Sequence, residues 1–177
     1  MSKTIPMSRR ITPFQMIIMG FAGVILLGAL VLMLPLSARS GTVTPFGDAL
    51  FTATSAVCVT GLVVQDTASY WSGFGQAVIL LLIQIGGLGV STVAASFALL
   101  SGRKISLMQR SAMQEAIAAP QMGGIVRLTG FILRMTLTIE VIGALVMLPV
   151  FCHDYGARGI WMAVFHSISA FCNAGFD

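Results

Sequence analysis

Charge is what this chain has least of. Among its 177 residues are 10 Lys or Arg, 6 Asp or Glu and 2 His, so 9% are charged, against roughly 25% in an average soluble domain. A water-soluble domain of this size could not cover its surface with so few charges, which excludes that class. Metal and thiol chemistry are equally short of material. Cys58, Cys152 and Cys172 show neither CxxC nor Cys/His spacing, so there is no disulfide framework and no zinc site to build. His153 and Asp154 sit beside Cys152, but neighbours in one exposed turn rarely converge on an ion. The glycine-rich stretch Gln84–Gly89 lacks both GK[ST] and GxGxxG spacing, so it is no phosphate loop. The net charge of +4 is no nucleic-acid footprint either, because the basic residues fall in the gaps between apolar runs. A membrane-embedded enzyme would need a clustered nucleophile, acid or metal set, and none is visible.

What the chain does have is hydrophobic length. Hydrophobic residues make up 56% of it, gathered in runs long enough to cross a bilayer. Residues 14–34 form the first run, behind a basic segment holding Lys3, Arg9 and Arg10. The run is too long for a signal-peptide core, so it reads as a retained transmembrane helix. Thr12-Pro13 suits its start, Pro35 its end, and Gly20, Gly23 and Gly28 offer close approach to a neighbouring helix.

The chain also repeats itself. Phe51–Val63, FTATSAVCVTGLV, and Phe165–Asp177, FHSISAFCNAGFD, align at an offset of 114 residues, sharing Phe51/Phe165, Ser55/Ser169, Ala56/Ala170, Cys58/Cys172 and Gly61/Gly175. The same offset pairs Pro35 with Pro149, each closing an apolar run. The unit is a long apolar run, a proline, a short apolar run and a polar glycine turn, and internal symmetry of this kind organises a fold.

The short runs cannot span. Residues 45–57 and 159–171 have the length of half-helices, the first opened by Thr44 as a candidate cap, Pro45 and Asp48. A half-helix ending at mid-depth leaves carbonyls that are tolerated only inside protein or beside water. The glycine turns that follow, 58–62 and 172–176, permit a backbone whose carbonyls point one way, near the negative end of the helix dipole. That is a place for a dehydrated cation. Tyr70 and Trp71 fall where an aromatic belt is expected. A helix over 72–100 follows, with Gln84, Gly86, Gly87 and Gly89 placed for helix packing or next to a pore. The 101–128 connection, with a candidate helix at 105–119, and the amino terminus hold seven basic residues. The positive-inside rule puts both in the cytoplasm. In the second long run, 129–149, Arg134 and Glu140 are costly charges that mark a buried ion pair or an ion path.

The segments 48–62, 84–89 (QIGGLG) and 165–176 resemble the Trk/Ktr/HKT superfamily of potassium transporters, and among them the bacterial KtrB or TrkH type of membrane subunit. The resemblance implies an all-α integral membrane fold with the pore architecture of voltage-gated-like K⁺ channels, built from repeated M1–pore helix–M2 units. On that template residues 1–13 are a cytoplasmic amino terminus. The first unit is 14–100, with M1 at 14–35, pore helix at 45–57, filter turn at 58–62 and M2 at 72–100. Residues 101–128 are a cytoplasmic loop. The second unit, 129–177, has M1 at 129–149, pore helix at 159–171 and filter turn at 172–176, without its M2. Two further units would lie outside this sequence.

The function implied is K⁺ uptake across a bacterial inner membrane. Carbonyls of Cys58, Val59, Thr60 and Gly61, and of Cys172, Asn173, Ala174 and Gly175, would supply part of the selectivity filter. The resemblance also implies a homodimer and cytosolic regulatory subunits with nucleotide-binding RCK domains. The chain itself would need no cofactor, K⁺ would be cargo, and some members depend on Na⁺. Two rivals are a secondary cation transporter with discontinuous helices and a non-conducting fragment. The first would more often invert its repeats, whereas these two units run the same way.

Overall fold

A computed structural model describes residues 12–89, 92–93, 107, 110–111, 114–115 and 124–177. Expectations for 1–11, for most of 94–123 and for the far end of the 72–100 helix lie outside these residues. Within the expected 105–119 helix, the described residues 107, 110, 111, 114 and 115 are helical.

The fold is an all-α bundle. Helix α1 spans Pro13–Leu32. It starts in a capping box: Gln15 N donates to Thr12 Oγ1 (3.3 Å) and Thr12 N to Gln15 Oε1 (3.0 Å), which satisfies two of the donors every helix start leaves open. Half-helix α2 follows at Phe46–Val57, then the short α3 at Thr67–Tyr70 and α4 at Gly73–Leu88. The second part holds α5, Ile125–Tyr155, and half-helix α6, Arg158–Phe171.

Among the described residues two stretches are long and apolar enough to cross a membrane. Phe14–Leu32 has a mean hydropathy of 2.4 and Val126–Tyr155 one of 2.1, and only 17% and 11% of their windows are buried within the protein. A soluble core helix would hide such a surface. These helices turn it outward, as a helix in lipid does. The 16 residues of α4 reach ~24 Å, short of the ~30 Å hydrocarbon core.

The core lies where α1, α2 and α4 meet. Ala49, Ala53 and Ala56 are fully buried on one face of α2, against Leu32, Ile79 and Ile83. Small side chains at i, i+4 and i+7 let helices approach closely. Gly28 does the same for α1 and α4, since a Cβ there would sit 2.7 Å from Leu82 Cδ1. Gly23, expected to share that role, has nothing within 4 Å of such a Cβ.

A strap over 36–44 closes one end of the first unit against 66–72. Arg39 N donates to Tyr70 O (2.8 Å), Ser72 N to Ser37 O (2.9 Å) and Tyr70 Oη to Thr44 Oγ1 (3.2 Å). Asp66 caps α3 by accepting from Ser69 N at 2.7 Å, and hydrogen bonding to Ser69 holds its carboxyl below the usual aspartate range.

Four expectations need correction. Thr44 is no helix cap: Pro45 takes the N-cap position without a side-chain bond, and Thr44 is buried facing Tyr70. Trp71 lies in no aromatic belt. It is fully buried, edge-on to Tyr70 at 5.0 Å, and its backbone bridges to Ala38. The single helix over 72–100 stops at Leu88, because Gly89 adopts φ +82°, a left-handed backbone that ends an α-helix. Pro149, expected to close its run as Pro35 does, stands inside α5, which continues to Tyr155. Proline is tolerated in a membrane helix when neighbours cover the freed backbone. The residues after the two prolines also differ. Ser37 Oγ donates back to Val31 O at 2.7 Å just past the end of α1, whereas Phe151 lies inside α5 with its ring tilted against that of His166 of α6 at 5.0 Å.

Candidate functional site

Both half-helices end the same way, bond for bond. After α2, Cys58 N donates to Thr54 O (2.8 Å), Val59 N to Ala56 O (3.3 Å) and Thr60 N to Ser55 O (3.0 Å). After α6, Cys172 N donates to Ile168 O (3.0 Å), Asn173 N to Ala170 O (3.0 Å) and Ala174 N to Ser169 O (2.7 Å). Every donor and acceptor pair obeys the 114-residue offset of the sequence repeat. The last two bonds of each set form a Schellman motif, which turns the chain out of a helix through one left-handed residue. That residue is Val59 (φ +56°) in the first turn and Asn173 (φ +57°) in the second. Two positions on, Gly61 (φ +71°) and Gly175 (φ +68°) are left-handed as well.

The repeated serines brace these turns from inside. Ser55 Oγ and Thr60 Oγ1 are 2.9 Å apart. Ser169 Oγ donates to Phe176 O (2.7 Å) and accepts from Phe176 N (3.0 Å). Phe176 and Ala174 are buried in the same core as α1, α2 and α4, so the second turn is anchored into the first unit.

The two turns touch. A Cβ on Gly61 would sit 2.5 Å from Ala174 O, and one on Gly175 would sit 3.7 Å from Gly61 Cα. Gly61 is therefore required twice, by its φ and by the neighbouring backbone. The glycines of α4 explain themselves here too. A Cβ on Gly86 would overlap the Val57 carbonyl, and one on Gly87 would lie 2.6 Å from Cys172 Sγ. Helix α4 thus lies directly against the end of both half-helices.

Gln84, one turn earlier, donates from Nε2 to Glu140 Oε1 at 2.9 Å. It links α4 to α5. Arg134, proposed as the partner of Glu140, is exposed, and its carbonyl accepts from Thr138 Oγ1 at 2.7 Å. No ion pair between the two appears among the described residues. Cys58 is exposed and Cys172 half-buried, both as free thiols. Among the described residues no group of three His, Cys, Asp or Glu side chains could hold a metal ion. Asp48 Oδ2 accepts from Gln65 Nε2 at 3.0 Å. Nothing in the residue pattern marks Val59 as left-handed, because a β-branched residue is the poorest candidate for that conformation.

Residues 4–177 match the family model described as TrkH: cation transport protein. The chain belongs to the TrkH family. This is a family of transport proteins, not of catalysts. Among its relatives, the potassium/sodium uptake protein NtpJ of Enterococcus hirae is 46% identical over 170 residues, which cover 96% of this chain and 38% of NtpJ. The Ktr system potassium uptake protein B of Bacillus subtilis is 45% identical over 171 residues, 95% of this chain and 38% of the relative. Its namesake in Vibrio alginolyticus is 40% identical over 163 residues, 92% and 35%. The chain thus spans less than two-fifths of the length of these TrkH-family relatives.

Proposed function

We propose that this chain contributes two quarters of a potassium-selective pore, residues 58–62 and 172–176 being the first two turns of its filter. The observation that carries the reading is the pair of equivalent turns, each at the C-terminal end of a half-helix, with Gly61 and Gly175 in backbone contact. Left-handed residues at alternate positions, 59 and 61, 173 and 175, let successive carbonyls face one side. The half-helix dipoles add negative potential at the same place. Carbonyls of Cys58, Val59, Thr60 and Gly61 and of Cys172, Asn173, Ala174 and Gly175 would replace the hydration shell of K⁺, with two further turns completing the ring. Asp48 and Asp66 at the outer end would raise the local cation concentration. The membrane potential would drive entry with about 2.3 kcal/mol per charge per 100 mV.

The names of the relatives supply the ion: potassium in each case, with sodium added for NtpJ. On this reading the protein works in a bacterial cell membrane with its amino terminus in the cytoplasm. It works as a homodimer, with a cytosolic nucleotide-binding regulatory subunit docked near the 101–128 loop. The names of the Ktr system proteins support a multi-component assembly.

Gly61→Ser in the intact protein tests the filter. Its side chain would meet the Ala174 carbonyl, so the K⁺/Na⁺ uptake ratio should fall about tenfold, the effect of ~1.4 kcal/mol. The amount of protein in the membrane should change little. Uptake of labelled K⁺ and Na⁺ by a K⁺-uptake-deficient cell measures the ratio, and an unchanged ratio at normal expression rejects the assignment.

A further inference from the structure

The two turns are alike in backbone but not in what stands behind them. Glu140 occupies the midpoint of α5, and only 4% of it is exposed. A carboxyl group at that depth in a membrane helix is costly and calls for a partner inside the protein. Its partner is the Gln84 amide, whose Nε2 donates to Glu140 Oε1 at 2.9 Å. The other end of the same amide, Oε1, accepts from Cys172 Sγ at 4.0 Å. Cys172 is the C-cap of α6 and the first residue of the second turn.

The surroundings are shaped to allow this chain of contacts. Gly87 leaves space for Cys172 Sγ, and Gly143 leaves space for Ser167 Oγ, 2.5 Å from where a Cβ would lie. Ser167 Oγ in turn donates to the backbone carbonyl of Glu140 at 2.6 Å, which fixes α6 to α5 at the same level. Among the described residues no such chain of contacts reaches the first turn. The residue equivalent to Glu140 at the 114-residue offset is Leu26, which is 51% exposed, and Cys58 is exposed where Cys172 is held.

We propose that Glu140 and Gln84 are positioning residues that hold the second turn through Cys172, and so set ion discrimination at a turn neither of them belongs to. The proposal rests on the filter reading above. A hydrogen-bonded polar chain inside a low-dielectric interior fixes geometry more firmly than apolar contact does, and each member depends on the others.

The test uses the intact protein in a K⁺-uptake-deficient cell, with K⁺/Na⁺ uptake ratios expressed per inserted protein. Gly175→Ser serves as the reference for the turn itself. Gln84→Leu and Glu140→Leu should each lower the ratio on the order of three- to tenfold, the range set by loss of one buried hydrogen bond. The double variant should be no worse than either alone, because the residues act as one unit. Glu140→Gln keeps a carbonyl oxygen to accept from Gln84, so its ratio should stay within about twofold of the parent. Gln84→Asn, one methylene shorter, should lower the ratio and covers the case in which the leucine variants fail to insert. Two results separate the claims. If Gly175→Ser lowers the ratio while Gln84→Asn and the leucine variants alter only the amount inserted, the positioning role is wrong. If Gly175→Ser itself leaves the ratio unchanged, the filter reading fails first.

Discussion

At the scale of single residues, the two turns pose one backbone problem and solve it with different chemistry. Both need a left-handed residue immediately after the helix cap. Asn173 takes that conformation readily, because its short polar side chain bonds locally. Val59 does not, and a left-handed β-branched residue carries of order 1–2 kcal/mol of strain. Val59 is half-buried and packed on the core, whereas Asn173 is exposed, so apolar contact offsets the strain in the first turn only. Asn173→Val imports the strain without that contact. It should destabilise the protein by about 1 kcal/mol and lower the melting temperature in detergent, while Asn173→Gly should melt close to the parent. Equal melting of all three would mean that position 173 is not held left-handed. The repeat itself was legible at this scale, because Ser55/Ser169 and Cys58/Cys172 make equivalent backbone bonds and Gly61/Gly175 are both left-handed. The strain at Val59 was not, since nothing in a valine advertises it.

At the scale of elements, glycine has opposite meanings at Gly23 of α1 and Gly86 of α4. Gly86 faces the Val57 carbonyl, a backbone atom that cannot move without disturbing the end of α2, while Gly23 faces open space. Gly86→Ala should therefore push α4 away from the first turn, costing ~2 kcal/mol or more and most of the transport. Gly23→Ala should gain up to ~1 kcal/mol from helix propensity. Melting and uptake of the two variants side by side check this, and a harmless Gly86→Ala would show that α4 does not abut α2. The sequence showed that the Gln84–Gly89 stretch invites close packing. It could not show the break at Gly89, because a glycine within an apolar run is compatible with an unbroken helix. Nor could it show that Pro149 leaves α5 intact. Past that proline Phe151 packs on His166, a contact made by the next element. The partner of Glu140 was illegible for the same reason: Gln84 is 56 residues away, and no local pattern joins them.

At the scale of the whole molecule, the arrangement is parallel. Each long helix leads into a half-helix that turns back, and each half-helix ends at a turn that meets the other. Helices α1 and α5 must then begin on one side of the membrane and place the strap over 36–44 and the α5–α6 corner on the other. The charge distribution chooses between the two senses. Seven basic residues fall in the amino terminus and the 101–128 segment, while Arg39 and Arg158 on the opposite side are accompanied by Asp48, Asp66, Asp154 and Asp177. The orientation proposed above, which follows the positive-inside rule, puts the strap outside. In a protein whose native cysteines have been replaced, Ser40→Cys should react on intact cells with a maleimide that cannot cross the membrane. Ser101→Cys should react only after permeabilisation. The reverse pattern would invert the protein and place Asp48 and Asp66 at the exit of the proposed pore. Labelling of both positions from outside would break the parallel relation between the two units, and a pore in which their glycine turns share one mouth would then be geometrically impossible.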